Sequence, residues 1–458
     1  MRKFTLFLGL LFLGVVVMGQ GPLFLGTKTP YPAPAGVYSS PPAGFQPVFI
    51  NYVGRHGARF MTKAGPDVEA LRLLEAAEGS QGLTKVGVRV RRMVRRLCEI
   101  EKGQYENITL LGAEEQQAIG QRMLSRYPAV FTGKGLDVVV TYKVRTQQSA
   151  DAFLKAFAGY KGQRRFSKLA DSLDAVLRFY DLSPAYQRYK KNEGLKKTLD
   201  SLDRDRRTGE AAAAVCERVF TPGFRAGLKP VDELRFTGNL YDLYSVQFSL
   251  VREIKDSVDL GIAFGASQLA WEDFVSGAQD FLEKGPGRDP LGIQVKVAAP
   301  LLVDFVRRMD EVVRRGAVAS GATAAGGSGA AQAVGGSDAV LRFTHAEAIS
   351  PFATLLGISE ASVPVSDIYD YSKHWRVGEI IPLSANVQWI VYSNGKEYLI
   401  KVLLNEREVK LPLRGVGAGD GGGPFYRWEE LRSYCMERLR AVGADPEGSM
   451  LEYLKRLR

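Results

Sequence analysis

Two short β-like runs, at 48–53 and 339–343, stand at opposite ends of the chain, and each leads straight into a loop that carries a histidine. Between them, from about 160 to 315, the pattern is mainly helical, punctuated by Thr221-Pro222-Gly223 and Gly285-Pro286-Gly287. Helical spacing also fills 66–101, through Val68, Leu71 and Leu74 and then Val90, Met93, Val94 and Leu97. A further helix starts at Leu110 and runs towards Arg126, where Tyr127-Pro128 stops it. The β-branched run 137–142 reads as a buried strand. It delivers Arg145, and a helix over 150–157 follows. Later, Asn394-Gly395 separates the apolar runs 388–393 and 398–404, a strong hairpin signal.

That order predicts one α/β domain, a mostly parallel sheet flanked by helices, whose halves are separated by an inserted, mainly helical cap. The expected divisions are 46–158 and 338–458 for the α/β part and 159–315 for the cap. Residues 316–337 are dominated by Gly, Ala and Ser and read as a mobile connector. In open α/β sheets, ligands sit beyond the carboxyl ends of strands. Both His56 and His345 fall there.

The loop after the first run is Arg55-His56-Gly57-Ala58-Arg59. Arginine presents a planar fork of donors suited to phosphate oxygens. Histidine is readily held neutral near physiological pH, so a ring nitrogen can act as a nucleophile. Gly57 lets the backbone approach an anion closely. Two guanidiniums around one imidazole therefore suit attack on phosphorus. The second histidine lies in Thr344-His345-Ala346-Glu347; the third and last, His374, fits no catalytic pattern and reads as a packed or surface residue.

The formal charge of +11 and the pI near 9.4 suggest an anionic partner. Nucleic acid is disfavoured, because no aromatic-interleaved basic stretch, zinc knuckle or helix-turn-helix signature is present. Three cysteines, Cys98, Cys216 and Cys435, permit at most one disulfide, and with three histidines they make a zinc site poorly supported. Arg2 and Lys3 precede an apolar run at 4–18, with small or flat residues near Gly19 and Gln20. This reads as a signal peptide over 1–19 followed by an irregular leader over 20–45, which predicts a secreted or periplasmic protein. An uncleaved anchor is the alternative, although the run is short for a span of ~20 residues.

The pairing of RHGxR with a distant HAE resembles the histidine acid phosphatases. HAE, where many relatives carry His-Asp, resembles the branch called multiple inositol polyphosphate phosphatases. Leu110-Leu111-Gly112-Ala113-Glu114-Glu115 is similar to the LTxxG helix start of those enzymes, and Lys284-Gly285-Pro286-Gly287 to the KGPG segment of that branch. The resemblance implies the histidine phosphatase fold, with the site in a cleft under the cap. It also implies hydrolysis of phosphomonoesters through a phosphohistidine, with inositol polyphosphates such as phytate as small polyanionic substrates and no metal or cofactor. On it, His56 is the nucleophile, Arg55, Arg59 and Arg145 clamp the phosphoryl oxygens, and His345 hydrogen-bonds the phosphoryl group. Glu347 is the proton donor. Extended backbone would place His345 and Glu347 on one face. Lys63 falls where several phytase-like enzymes carry a substrate-binding lysine. Phe60-Met61-Thr62 departs from the proline-containing loop of many relatives. Two other readings stay open: a broad acid or sugar-phosphate phosphatase of the same superfamily, and a non-catalytic phosphate-binding protein, for which a nucleophile and a proton donor would be superfluous.

Overall fold

The strand that feeds Arg55-His56 becomes the spine of the sheet. In the computed structural model, which describes residues 23–32, 34, 36–168, 174–255, 257–319, 336–416 and 423–458, this strand is β1 (Gln46–Arg55). The others are β2 (Leu136–Val140), β3 (Arg164–Lys168), β4 (Ala339–Thr344), β5 (Asn386–Ser393), β6 (Tyr398–Leu404), β7 (Arg407–Glu408) and β8 (Phe425–Arg427). Their order is β3-β2-β4-β1-β5-β6-β7, with β8 also on β6. β1 runs parallel to β4, with Arg55 opposite Thr344, and β2 runs parallel to both β3 and β4. The loops bearing His56 and His345 thus leave neighbouring strands at the same edge.

Beyond β1 the sheet turns antiparallel, because β5 pairs antiparallel with β1 and with β6. The expectation of a mostly parallel sheet is corrected to a mixed sheet with a parallel core. The short link between β5 and β6, with Gly395 at φ 85°, reverses the chain and leaves no length for a crossover. β3 was not anticipated and falls inside the segment read as cap. Its sequence, Arg-Arg-Phe-Ser-Lys, suits an edge strand, since only one ring interrupts its polar side chains and that ring, Phe166, is exposed.

Among the helices are α1 (Pro66–Gly79), α2 (Lys85–Glu101), α3 (Leu110–Arg126), α4 (Val144–Lys155), α5 (Arg206–Val219), α6 (Pro230–Gln247), α7 (Ala266–Glu283), α8 (Ala299–Ala319), α9 (Ala346–Leu355) and α10 (Trp428–Ala441). Strand alternation divides the sheet's two faces. Ile50 and Tyr52 of β1 pack with Ile119 of α3 and Phe153 of α4, whereas Phe49 and Val53 share a core with Phe305 of α8, Phe352 of α9 and Trp389. A third core contains no residue of the sheet. In it Leu74 of α1 and Val94 of α2 pack with Val215 of α5 and Leu240 of α6. So α1 and α2, which precede the expected cap in sequence, are built into its core. α8, at the expected cap's far end, lies against the sheet instead. It also extends through Gly316–Ala319, where a connector was expected, because the alanines and Val318 continue the helix past one glycine. The remainder of that connector, 320–335, and the apolar run 4–18 with its cleavage region lie outside the described residues.

Within the leader, residues 24–31 tie the helical body to the sheet. Gly26 N donates to Asp273 Oδ1 (2.7 Å), Lys28 pairs with Asp242, and Tyr31 N donates to Glu115 Oε1 (2.7 Å). All three cysteines are free thiols. No described helix is long and apolar enough to cross a membrane.

Candidate active site

β1 ends at Arg55, and His56 N donates to Thr344 O (3.0 Å), so the loop starts in register with β4. Gly57 is then pressed against the first turn of α3. A Cβ on Gly57 would lie 2.5 Å from Gly112 O, and one on Gly112 would lie 2.0 Å from Ala58 O. Neither position admits a side chain without parting loop and helix. α3 also anchors the loop with buried polar groups. Glu115 Oε2 accepts from Ala58 N (2.9 Å) and from Ser384 Oγ (2.7 Å), and Gln116 Nε2 donates to Arg55 O (2.9 Å).

His56 is buried, and its Nδ1 lies 3.0 Å from Gly57 O. A carbonyl only accepts, so Nδ1 carries the hydrogen and Nε2 keeps its lone pair. Burial, and then Arg55, Arg145, His345 and Arg59, hold the ring well below the ordinary histidine value, so it stays neutral. The arginines ring it. Arg55 Nη1 donates to Thr27 O (2.8 Å) and Ile381 O (2.5 Å), and Arg59 Nη1 donates to Phe60 O (2.7 Å). Burial pushes both guanidiniums down to about 10, which leaves them charged at neutral pH. Arg145 lies in the first turn of α4 rather than ahead of the helix, which starts at Val144 and not at 150. Nε of all three arginines, Nη1 of Arg145 and Nδ1 of His345 are buried without a hydrogen-bond partner among the described residues. Buried donors seldom remain unmatched. Five of them around one imidazole describe a seat for an oxyanion.

His345 caps α9 in extended geometry, and Glu347 lies in that helix's first turn. The expectation that extended backbone places the two on one face is therefore corrected. What brings Glu347 to the site is the helix start, whose dipole also favours a carboxylate. The rings of His56 and His345 stand 5.5 Å apart, edge to face, and His345 Nε2 is 3.2 Å from Thr141 Oγ1. The Glu347 side chain keeps 36% of its surface open although it sits deep among charged neighbours. Burial alone would raise its pKa, but Lys284, His345 and Arg55 outweigh that and hold it below the usual carboxylate range. Lys284 Nζ lies 3.6 Å from Glu347 Oε1 and 2.5 Å from Asp280 Oδ1.

Six of the seven sequence-derived site residues thus converge. The seventh, Lys63, is exposed and makes no hydrogen bond or ion pair among the described residues. His374 is exposed as well. Sequence reasoning missed Lys284, although its KGPG segment was conspicuous, and Thr141, which carries no motif.

A family model described as the histidine phosphatase superfamily (branch 2) matches residues 48–405. The chain belongs to this superfamily. Among solved structures, this histidine phosphatase is similar to the Bifidobacterium longum multiple inositol polyphosphate phosphatase in complex with inositol hexasulfate, at 22% identity and a TM-score of 0.74 over 90% of this chain and 97% of that one. The same enzyme in complex with phosphate gives 21% and 0.73 over the same shares. The phytase from D. castellii is similar at 15% identity and a TM-score of 0.66, over 94% of this chain and 89% of that one. At these identities the likeness establishes the fold. No curated protein sequence matches the chain.

Proposed function

We propose that this histidine phosphatase removes phosphates from inositol polyphosphates, phytate foremost, through a phosphohistidine at His56. The observation that carries this reading is the set of unmatched buried donors on Arg55, Arg59, Arg145 and His345 around a neutral imidazole, with Glu347 alongside. His56 Nε2 attacks phosphorus as the ester P–O bond breaks, and the arginines and His345 take up the charge that builds on the phosphoryl oxygens. The leaving alkoxide takes a proton from Glu347. Glu347 then removes a proton from the water that cleaves the phosphohistidine.

The surrounding cations keep Glu347 ionised until a substrate arrives. A bound phosphoryl dianion offsets those cations, so the carboxyl regains its proton affinity on substrate binding. A highly phosphorylated polyol is favoured as substrate because each further phosphate adds attraction towards a basic protein. The structural likeness to an inositol polyphosphate phosphatase and a phytase supports the same reading. The test is incubation with phytate and assay of released inorganic phosphate against a simple alkyl phosphate. Turnover of the alkyl ester with none of phytate would remove the substrate assignment. We further propose export, supported by Arg2-Lys3 ahead of the apolar run 4–18. Cell fractionation that finds the enzyme in the cytoplasm would exclude it.

A further inference from the structure

Glu106 stands out for its backbone and for its neighbours. It holds φ at 70°, the left-handed region that costs a long side chain energy. The loop that imposes this conformation is pinned on both sides. Glu106 N donates to Met61 O (2.8 Å), Phe60 N donates to Asn107 O (3.0 Å), and Gln148 Nε2 of α4 donates to Asn107 Oδ1 (2.9 Å). The loop thus spans from the segment after Arg59 to the helix bearing Arg145. Its carboxylate lies 3.4 Å from Arg145 Nη1 and 3.8 Å from Lys143 Nζ. At Nη1 it makes a charge contact without hydrogen-bond geometry, so that nitrogen remains available to a better-placed acceptor.

We propose that Glu106 is a resident anion that competes with the phosphoryl group for Arg145 and Lys143, and so sets how readily phosphate leaves the site. The inference rests on the reading of the site as a phosphate seat. A carboxylate beside a phosphate clamp repels the incoming oxyanion and shares its cation. It weakens binding of substrate and product alike, which favours turnover where product release limits the rate. If Glu106 instead only held Arg145 in place, removing its charge would loosen the clamp and weaken phosphate binding. The two roles predict opposite signs.

The experiment is calorimetric titration of inorganic phosphate into the wild-type enzyme and Glu106→Gln at constant ionic strength, alongside inhibition of phytate hydrolysis by phosphate. The expected result is a dissociation constant about threefold lower in the variant, the scale of a partly buried ion pair, with matching tighter product inhibition. Unchanged or weaker phosphate affinity would overturn the proposal. Glu106→Asn provides a second uncharged variant whose side chain tolerates the left-handed backbone, should the glutamine variant fold poorly. Phosphate binding with no release from phytate would count against the substrate assignment alone, because the Glu106 comparison reads phosphate by itself. Absence of phosphate binding in both proteins would sink both.

Discussion

At the level of single residues, the proposed chemistry asks His56 to stay neutral as the nucleophile and Glu347 to change charge with its ligand as the proton donor. His56→Ala is expected to abolish release of phosphate from any ester. Glu347→Gln is expected to slow alkyl esters by about a hundredfold or more while sparing nitrophenyl phosphate, whose leaving group needs little protonation. Steady-state kinetics on the two esters checks this, and equal losses on both would remove the proton donor's role. The buried imidazoles also link stability to pH. Both folded-state values lie below the unfolded histidine value of ~6.5. As pH falls below ~6.5, the unfolded chain takes up protons that the folded site refuses, so each histidine costs about 1.4 kcal/mol per pH unit until its folded value is reached. Denaturation of the wild type and His345→Asn between pH 4 and 7 should show a shallower fall in the variant. Parallel curves would place the acid sensitivity elsewhere.

Among the elements, the approach of the Arg55–Arg59 loop to α3 is a tight constraint. Gly112→Ala is expected to cost about 1–3 kcal/mol and to weaken phosphate affinity, because the new methyl collides with backbone at Ala58 rather than with a yielding side chain. Denaturant titration with an unchanged m-value, together with phosphate binding, tests this. The same elements show how far the sequence could be read. The runs ahead of His56 and His345, the α3 boundaries and the Asn394-Gly395 hairpin were legible because each pairs an apolar run with a stop or turn signal. β3 was hidden, since an edge strand of Arg, Ser and Lys has no hydrophobic period. Arg55, His56, Arg59 and His345 were legible from local motifs. Lys284 and Glu106 were not, because a charge contact between distant segments leaves no pattern along the chain. The geometry of Glu347 was misread because a helix start and a strand end look alike over three residues.

Taken whole, the molecule joins a sheet to a helical body through more than their facing surfaces. The leader reaches Asp242 and Asp273 on one side, and Glu115 and the Arg55 guanidinium on the other. Deleting residues 23–31 is expected to lower kcat/KM on phytate by about tenfold or more while leaving the sheet's helix and strand signal intact. The loss follows because Arg55 forfeits the Thr27 carbonyl and Glu115 the Tyr31 amide. Circular dichroism and kinetics on the shortened protein check this, and full activity would show that the leader is dispensable.

This strap bears on how the enzyme can be put to use on a solid support. A resin linkage placed just ahead of residue 23 would pull on the cord that steadies the Arg55 guanidinium. Attachment at Arg458 would load the helix Met450–Arg456, which carries none of the site residues, and leave the chemistry slack.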